Sequence, residues 1–333
     1  MFRVRSICMI LSALLMGCVQ SYKAPPHVSK EAKAVIEKGA VFDELFKPNV
    51  LFGGAEAFDR NYFAFIQREL ARANITYRAE QSTIGGVQVL IYETDGTEHQ
   101  HTLTIIYLHG GGYITGSARS MPSIPVLLSR TFGQAVVSVD YRTAAAAPFP
   151  AAVEDAFSVY RALIEDGVAP QSILMTGDSS GGGLVLATLL KAKAAGLPMP
   201  LAAILFSPWL DFTHSGDTRL TLAEDDPFLG FGSGVGDMGH PYVGDAALDN
   251  PLISPLFGDL KGLPPILIVV GTKEMLLSDS IRFQRKAKKS GVEVTLDIWD
   301  GMWHVFPALP NLPESKEAYK DIHGFVADLL KAH

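Results

Sequence analysis

Cysteine is nearly absent from this chain of 333 residues: Cys8 and Cys18 are the only two, both near the start. The remainder can therefore build neither a disulfide framework nor a cysteine-based zinc site. Basic residues are also short, 28 Lys and Arg against 35 Asp and Glu, a formal charge of −7. That balance argues against nucleic acid and against electrostatic attraction to anionic lipid. The apolar run near the start, Ile7 to Gly17, is about 11 residues long, whereas a bilayer span needs about 20. Neither an internal repeat nor a nucleotide-binding glycine spacing occurs. What is plentiful is apolar side chain, 48 % of the residues, enough for one large core with embellishments.

Arg3 and Arg5 precede the apolar run, the order of charge and hydrophobicity found in a secretory signal. The run ends in Leu15-Met16-Gly17-Cys18, which resembles the lipobox of bacterial lipoproteins. The resemblance implies cleavage before Cys18, acylation of its sulfur, and a protein anchored in the bacterial cell envelope facing the periplasm. A soluble secreted or periplasmic protein is the alternative. Residues 1–17 then form the signal and 18–29, with Pro25 and Pro26, a polar tether. Losing Arg3 and Arg5 with the signal makes the mature chain more acidic still.

From Ser29 to Asn74 the apolar residues recur at helical spacing, for example Phe63, Ile66 and Leu70. Strands are expected at Ile75–Ile84 and Val87–Glu93, joined by Gly85-Gly86 as a hairpin. Short apolar runs then alternate with helical stretches. The runs are Leu103–Leu108, Ala135–Val139, Ser172–Thr176, Ala202–Phe206, Pro265–Val270 and Val292–Ile298. Runs without polar alternation predict strands buried on both faces, and helices between them predict a mostly parallel sheet with the hairpin as an antiparallel edge. Alternation stops between Asp211 and Pro251, which predicts a helical insertion over the carboxyl ends of the strands.

The strongest chemical signal is Gly177-Asp178-Ser179-Ser180-Gly181-Gly182, between the run ending at Thr176 and a helical stretch. Flanking glycines permit a sharp turn, and a serine at its apex is the nucleophile elbow. The second signal is His109-Gly110-Gly111-Gly112, immediately after Leu108. Consecutive glycines leave backbone N–H groups free to face an oxyanion. The glycines of this loop are the expected donors, with Ser180, of which only the backbone N–H is required. His109 is read as orienting this loop. The order Ser179, Glu274, His304 is the serine, acid, histidine order of the α/β-hydrolase fold. Asp279 competes with Glu274 as the acid. It follows Ser278, a good N-cap, and is expected instead to serve the first turn of a helix Asp279–Ser290.

These motifs occur in series with Asp140-Tyr141-Arg142, Pro148-Phe149-Pro150, Ser207-Pro208-Trp209, Ser254-Pro255-Leu256 and Trp303-His304-Val305-Phe306. In that series the chain resembles the hormone-sensitive-lipase family of bacterial esterases, from about Val87 to the C-terminus. The resemblance implies an α/β-hydrolase sheet over 75–333, with a cap formed by residues 30–74 and an insertion at about 211–251. It implies Ser179 as nucleophile, His304 as base, Glu274 as acid where members usually carry Asp, and an oxyanion hole of Gly111, Gly112 and Ser180. It implies short- to medium-chain acyl esters of small alcohols as substrates, with lactones in some relatives, and no metal or organic cofactor.

Other readings stay open on the residues. A non-catalytic small-molecule binding protein on the same fold is disfavoured by the presence of His304. A serine amidase or peptidase would use the same triad, but no accessory domain precedes the hydrolase core. His99 and His101 are a weak metal candidate, with no carboxylate-rich partner run. Tyr113, Trp209, Phe228, Met302 and Phe306 are candidate pocket walls. The only partners expected are a small ester and, through Cys18, a membrane. A dimer is compatible with the sequence.

Overall fold

Residues 23–38, 48–97, 103–229 and 240–332 are described in a computed structural model of the chain. The expected signal, Cys18, His99 and His101 lie outside them. The hairpin strands β1 (Tyr77–Ile84) and β2 (Val87–Thr94) pair antiparallel with Ile84 opposite Val87. Gly85 and Gly86 both have positive φ, 58° and 80°, as a two-residue turn matched to strand twist requires. The apolar runs become β3 (Thr104–Leu108), β4 (Val136–Val139), β5 (Ile173–Asp178), β6 (Ala202–Phe206), β7 (Ile266–Lys273) and β8 (Val294–Trp303).

The eight strands lie in the order β1-β2-β4-β3-β5-β6-β7-β8. β2 is antiparallel to both of its neighbours and every pairing from β4 to β8 is parallel, so β2 alone runs against the rest. The chain leaves β3 for β4 on one side and returns to β5 on the other. This reversal opens a crevice at the carboxyl ends of β3 and β5, where ligands bind in open α/β sheets.

Helices cover both faces. On one face α4 (Ala151–Glu165), α5 (Ser180–Ala194) and α8 (Leu277–Lys289) bury residues such as Val153, Leu184 and Phe283. On the other, α1 (Lys30–Lys38), α2 (Pro48–Arg72), α3 (Ser123–Phe132) and α9 (Pro313–Ala332) bury Ile36, Ile66, Leu127 and Ile322. α2 also reaches the crevice, where Asp59 accepts a hydrogen bond from the Gly116 N–H at 2.8 Å.

Four expectations need correction. β8 runs five residues past Ile298, because Lys273 pairs with Trp303 beyond an irregularity in register. Asp297, Asp300 and Gly301 make that stretch look like a loop in sequence, but a bulged strand accommodates them. The insertion after β6 is less helical than expected: its described part holds only two four-residue helices, α6 (Thr218–Thr221) and α7 (His240–Val243). The tether is shorter than its composition suggests. Ala24 and Val28 are buried, and Ser29 gives both its N–H and its hydroxyl to Glu314 at 2.7 and 2.8 Å.

Finally, α8 begins at Leu277, so Ser278 is not its N-cap. Asp279 does not serve the first turn of α8 alone. Its carboxylate accepts the Leu210 and Asp211 N–H groups at 3.0 and 3.1 Å, fastening the root of the insertion to α8. Burial pushes its pKa up to about 7, against the pull of Arg219 and the Leu210 N–H. Asp279→Ala would leave two buried N–H groups unpaired, at about 1–3 kcal/mol each. Thermal melting should show a clear loss of Tm, with the fold otherwise retained on circular dichroism.

Candidate active site

Five strand ends deliver the site residues. Ser179 follows β5, the glycine loop follows β3, Ser207 follows β6, Glu274 follows β7 and His304 follows β8. The turn at Ser179 has φ 53° and ψ −121°, a conformation that costs a non-glycine residue about 1–3 kcal/mol. It depends on close backbone packing. A Cβ on Gly177 would lie 2.5 Å from the Gly181 carbonyl oxygen, and one on Gly181 would collide with the carbonyls of Leu108 and His109.

The structure brings Ser179, His304 and Glu274 together. Ser179 Oγ and His304 Nε2 are 3.0 Å apart. On the far side of the ring, Nδ1 is 3.6 Å from Glu274 Oε2, longer than a hydrogen bond, though such contacts commonly tighten once substrate binds. Asp279 takes no part. Glu274 Oε2 instead receives the Ser207 hydroxyl at 2.6 Å, and Ser207 Oγ accepts the Val305 N–H at 2.9 Å. One serine thus ties the acid to the loop that carries the histidine. The Ser207-Pro208-Trp209 motif gives Ser207 no role in sequence; its place at a strand's carboxyl end is the only local signal of one.

The glycine loop is held from below. Asp178 Oδ1 accepts the Tyr107 hydroxyl at 2.6 Å and the Gly110 N–H at 2.8 Å. Tyr141 donates to the His109 carbonyl at 2.7 Å and stacks on the His109 ring at 4.1 Å, while His109 Nδ1 lies 2.8 Å from the Gly110 carbonyl oxygen. The loop is thereby oriented, and among the described residues the N–H groups of Gly111 and Gly112 donate to nothing. Ser180 is the first residue of α5, whose N–H has no partner within the helix. Its side chain is engaged as well: Ser180 Oγ accepts the Tyr113 N–H at 3.3 Å.

The candidate walls divide. Met302 and Phe306 are core beside α9. Tyr113 stacks on Tyr242 at 3.8 Å and Trp209 on Phe212 at 4.0 Å, both inside the opposite core. Phe228 alone lies against the histidine, its ring 5.8 Å from that of His304.

Burial dominates the electrostatics. Desolvation lowers His304 to about 4, although Asp226 and Asp178 favour its charged form. It also pushes Glu274 up from the ordinary carboxylate range, against the Ser207 hydroxyl and the Gly271 backbone. A neutral imidazole is the form that can take a proton from Ser179.

A strand–turn–helix serine facing an imidazole at the end of the last strand, above a sheet of this order, is the arrangement of the α/β hydrolases. A family profile described as alpha/beta hydrolase fold matches residues 105–308. The chain is 39 % identical over 224 residues to an acetyl-hydrolase of Streptomyces hygroscopicus, covering 67 % of this chain and 75 % of the relative. It is 37 % identical over 229 residues to an esterase of Acinetobacter venetianus, covering 68 % and 76 %. A crystal structure of an esterase from the bacterial hormone-sensitive lipase family superposes with a TM-score of 0.81 at 34 % identity, over 90 % of this chain and 98 % of that one. The chain belongs to the hormone-sensitive-lipase-like family of α/β hydrolases and is a carboxylic ester hydrolase.

The lowered His304 pKa has a consequence for pH. A base depressed from 6.5 to about 4 stays neutral as pH falls through 6.5. The acid limb of kcat/KM, which reports the free enzyme, should therefore lie below pH 6.5. A pH profile on a neutral ester should retain more than half its plateau at about pH 5.5; half-loss at or above pH 6.5 would contradict the burial argument.

Proposed function

We propose that this enzyme is a serine carboxylesterase for short- to medium-chain acyl esters of small alcohols, acting through an acyl-enzyme on Ser179. The observation that carries the reading is the 3.0 Å approach of His304 Nε2 to Ser179 Oγ. His304 accepts the serine proton as Oγ bonds to the ester carbonyl carbon. The oxyanion is met by the N–H groups of Gly111, Gly112 and Ser180, each such donor being worth about 10²–10³ in rate. The tetrahedral intermediate collapses, the C–O bond to the alcohol breaks, and His304 returns the proton to that oxygen. Water, deprotonated by His304, then releases the acid and restores Ser179. Glu274 faces Nδ1, keeps the proton there and favours the transient imidazolium. The name of the Streptomyces relative, acetyl-hydrolase, favours a short acyl group.

The test is a panel of p-nitrophenyl esters of increasing acyl length beside p-nitroanilides, run on wild type, Ser179→Ala and Glu274→Gln. Turnover of the short esters should exceed that of the anilides. Ser179→Ala should fall below about one hundredth of wild type and Glu274→Gln by orders of magnitude. Faster anilide cleavage would favour an amidase, and a folded Ser179→Ala enzyme with near-normal turnover would reject the nucleophile.

We further propose that Cys18 is the acylated N-terminus of the mature protein, which is then held in the bacterial envelope facing the periplasm. The support is the charged start, the short apolar run and the lipobox-like Leu15-Met16-Gly17-Cys18. With Ala24 already packed onto the domain, the anchor would hold the enzyme within roughly 20 Å of the bilayer at about 3.3–3.6 Å per residue. Cys18→Ser should move the protein from the membrane to the soluble fraction. Failure of the wild-type protein to incorporate labelled fatty acid would end this reading.

A further inference from the structure

Asp226 lies in the segment that crosses from β6 over the site, and it is fully buried. Both carboxylate oxygens are engaged. Oδ1 accepts the N–H groups of Phe228 and Leu229 at 2.8 and 2.9 Å. Oδ2 accepts the Met275 N–H at 2.8 Å. Met275 directly follows Glu274, and Phe228 is the residue whose ring rests against His304. A single side chain therefore binds the backbone beside the acid and the backbone of the residue whose ring lies beside the base.

Such a brace has something to hold. The His304–Glu274 contact, at 3.6 Å, has no tight hydrogen bond to set its geometry. The position of Glu274 depends on Ser207 and on where the chain goes as it leaves β7.

Behind Asp226 stands a buried cation. Arg219 is 5 % exposed and lies over the Trp209 ring at 5.0 Å. Among the described residues its guanidinium donates no hydrogen bond. It faces the three buried carboxylates Asp279, Asp211 and Asp226. Asp211 has a nearer partner in Arg282 at 2.6 Å, and Asp279 binds backbone N–H groups. A buried charge without a counter-charge is strongly unfavourable, so Arg219 serves this group of carboxylates together, Asp279 first and Asp226 among them.

We propose that Asp226 is a positioning residue that braces the crossing segment against Glu274 and His304, within a buried group of carboxylates that shares Arg219 as its cation. The inference rests on the triad assignment made above. It makes the crossing segment part of the catalytic apparatus, acting through the placement of the acid and the base. The charged groups facing His304 are Asp178 from β5, Glu274 after β7, and Asp226 and Arg219 from the crossing segment. Next to Asp226, Asp225 pairs with Lys273 at 3.6 Å.

The experiment is steady-state kinetics on p-nitrophenyl butyrate across pH for wild type, Asp226→Asn, Arg219→Met and the double variant, with thermal melts of each. Asp226→Asn should lower kcat about 10-fold or more, as small misplacements of catalytic groups do, while KM changes little. Arg219→Met should also lower kcat, and the double variant should lose less than the product of the two single losses, as coupled residues do. Wild-type kcat in Asp226→Asn overturns the proposal whatever its Tm, since a merely structural role would move Tm alone. Losses that multiply also overturn it. Should Asp226→Asn not fold, unchanged kcat in Arg219→Met does so. A near-normal Ser179→Ala enzyme would instead reject the triad itself, so the two failures are separable.

Discussion

The backbone of Ser179 is held at positive φ, and much of the site is organised around keeping it there. The strain of about 1–3 kcal/mol persists because both peptide groups of the serine are bonded to the chain leaving β6. Its N–H donates to the Phe206 carbonyl at 2.8 Å, and its carbonyl accepts the Trp209 N–H at 2.9 Å. The turn is thus sewn to Ser207, which lies between those two residues and grips Glu274. Asp178, on the other side, grips Gly110. Strain at one residue is relieved by contacts that also place the acid and the glycine loop, so a change in any of them would be felt at the nucleophile.

Desolvation is the second organising effect. His304, Glu274, Asp178, Asp226 and Asp279 are all buried within a short distance of the crevice. Burial penalises every charged form, and the structure answers with backbone N–H groups and hydroxyls rather than with many ion pairs. Asp226 receives three N–H donors, and burial still pushes it up to about 6. The result for chemistry is a neutral imidazole beside the serine and a low-dielectric setting in which fixed N–H dipoles act strongly on developing charge.

How much of this was legible in the sequence depended on how local the signal was. The elbow and the glycine loop are runs of adjacent residues following apolar strands, and runs of that kind announce themselves. The parallel strands were visible because burial on both faces removes polar alternation. Glu274 was separable from Asp279 by its place directly beyond a strand. Ser207 was hidden because its partner Glu274 is 67 residues away, and the grip of Asp178 on Gly110 spans 68. The same holds for Asp226, whose bond to Met275 spans 49 residues. The end of β8 is masked in the sequence because Asp300 and Gly301 punctuate it like a loop. The residues before α1 looked like free tether because Pro25 and Pro26 say nothing of Glu314, which holds Ser29 from the far end of the chain.

The most direct measurement of the central claim is the site of covalent capture. An organophosphate ester that phosphorylates activated serines would be reacted with the full-length protein, followed by peptide mass spectrometry. The account predicts one label per chain, on the peptide bearing Ser179, with capture lost in His304→Ala. A label on Ser180 or Ser207, or undiminished capture without His304, would contradict it.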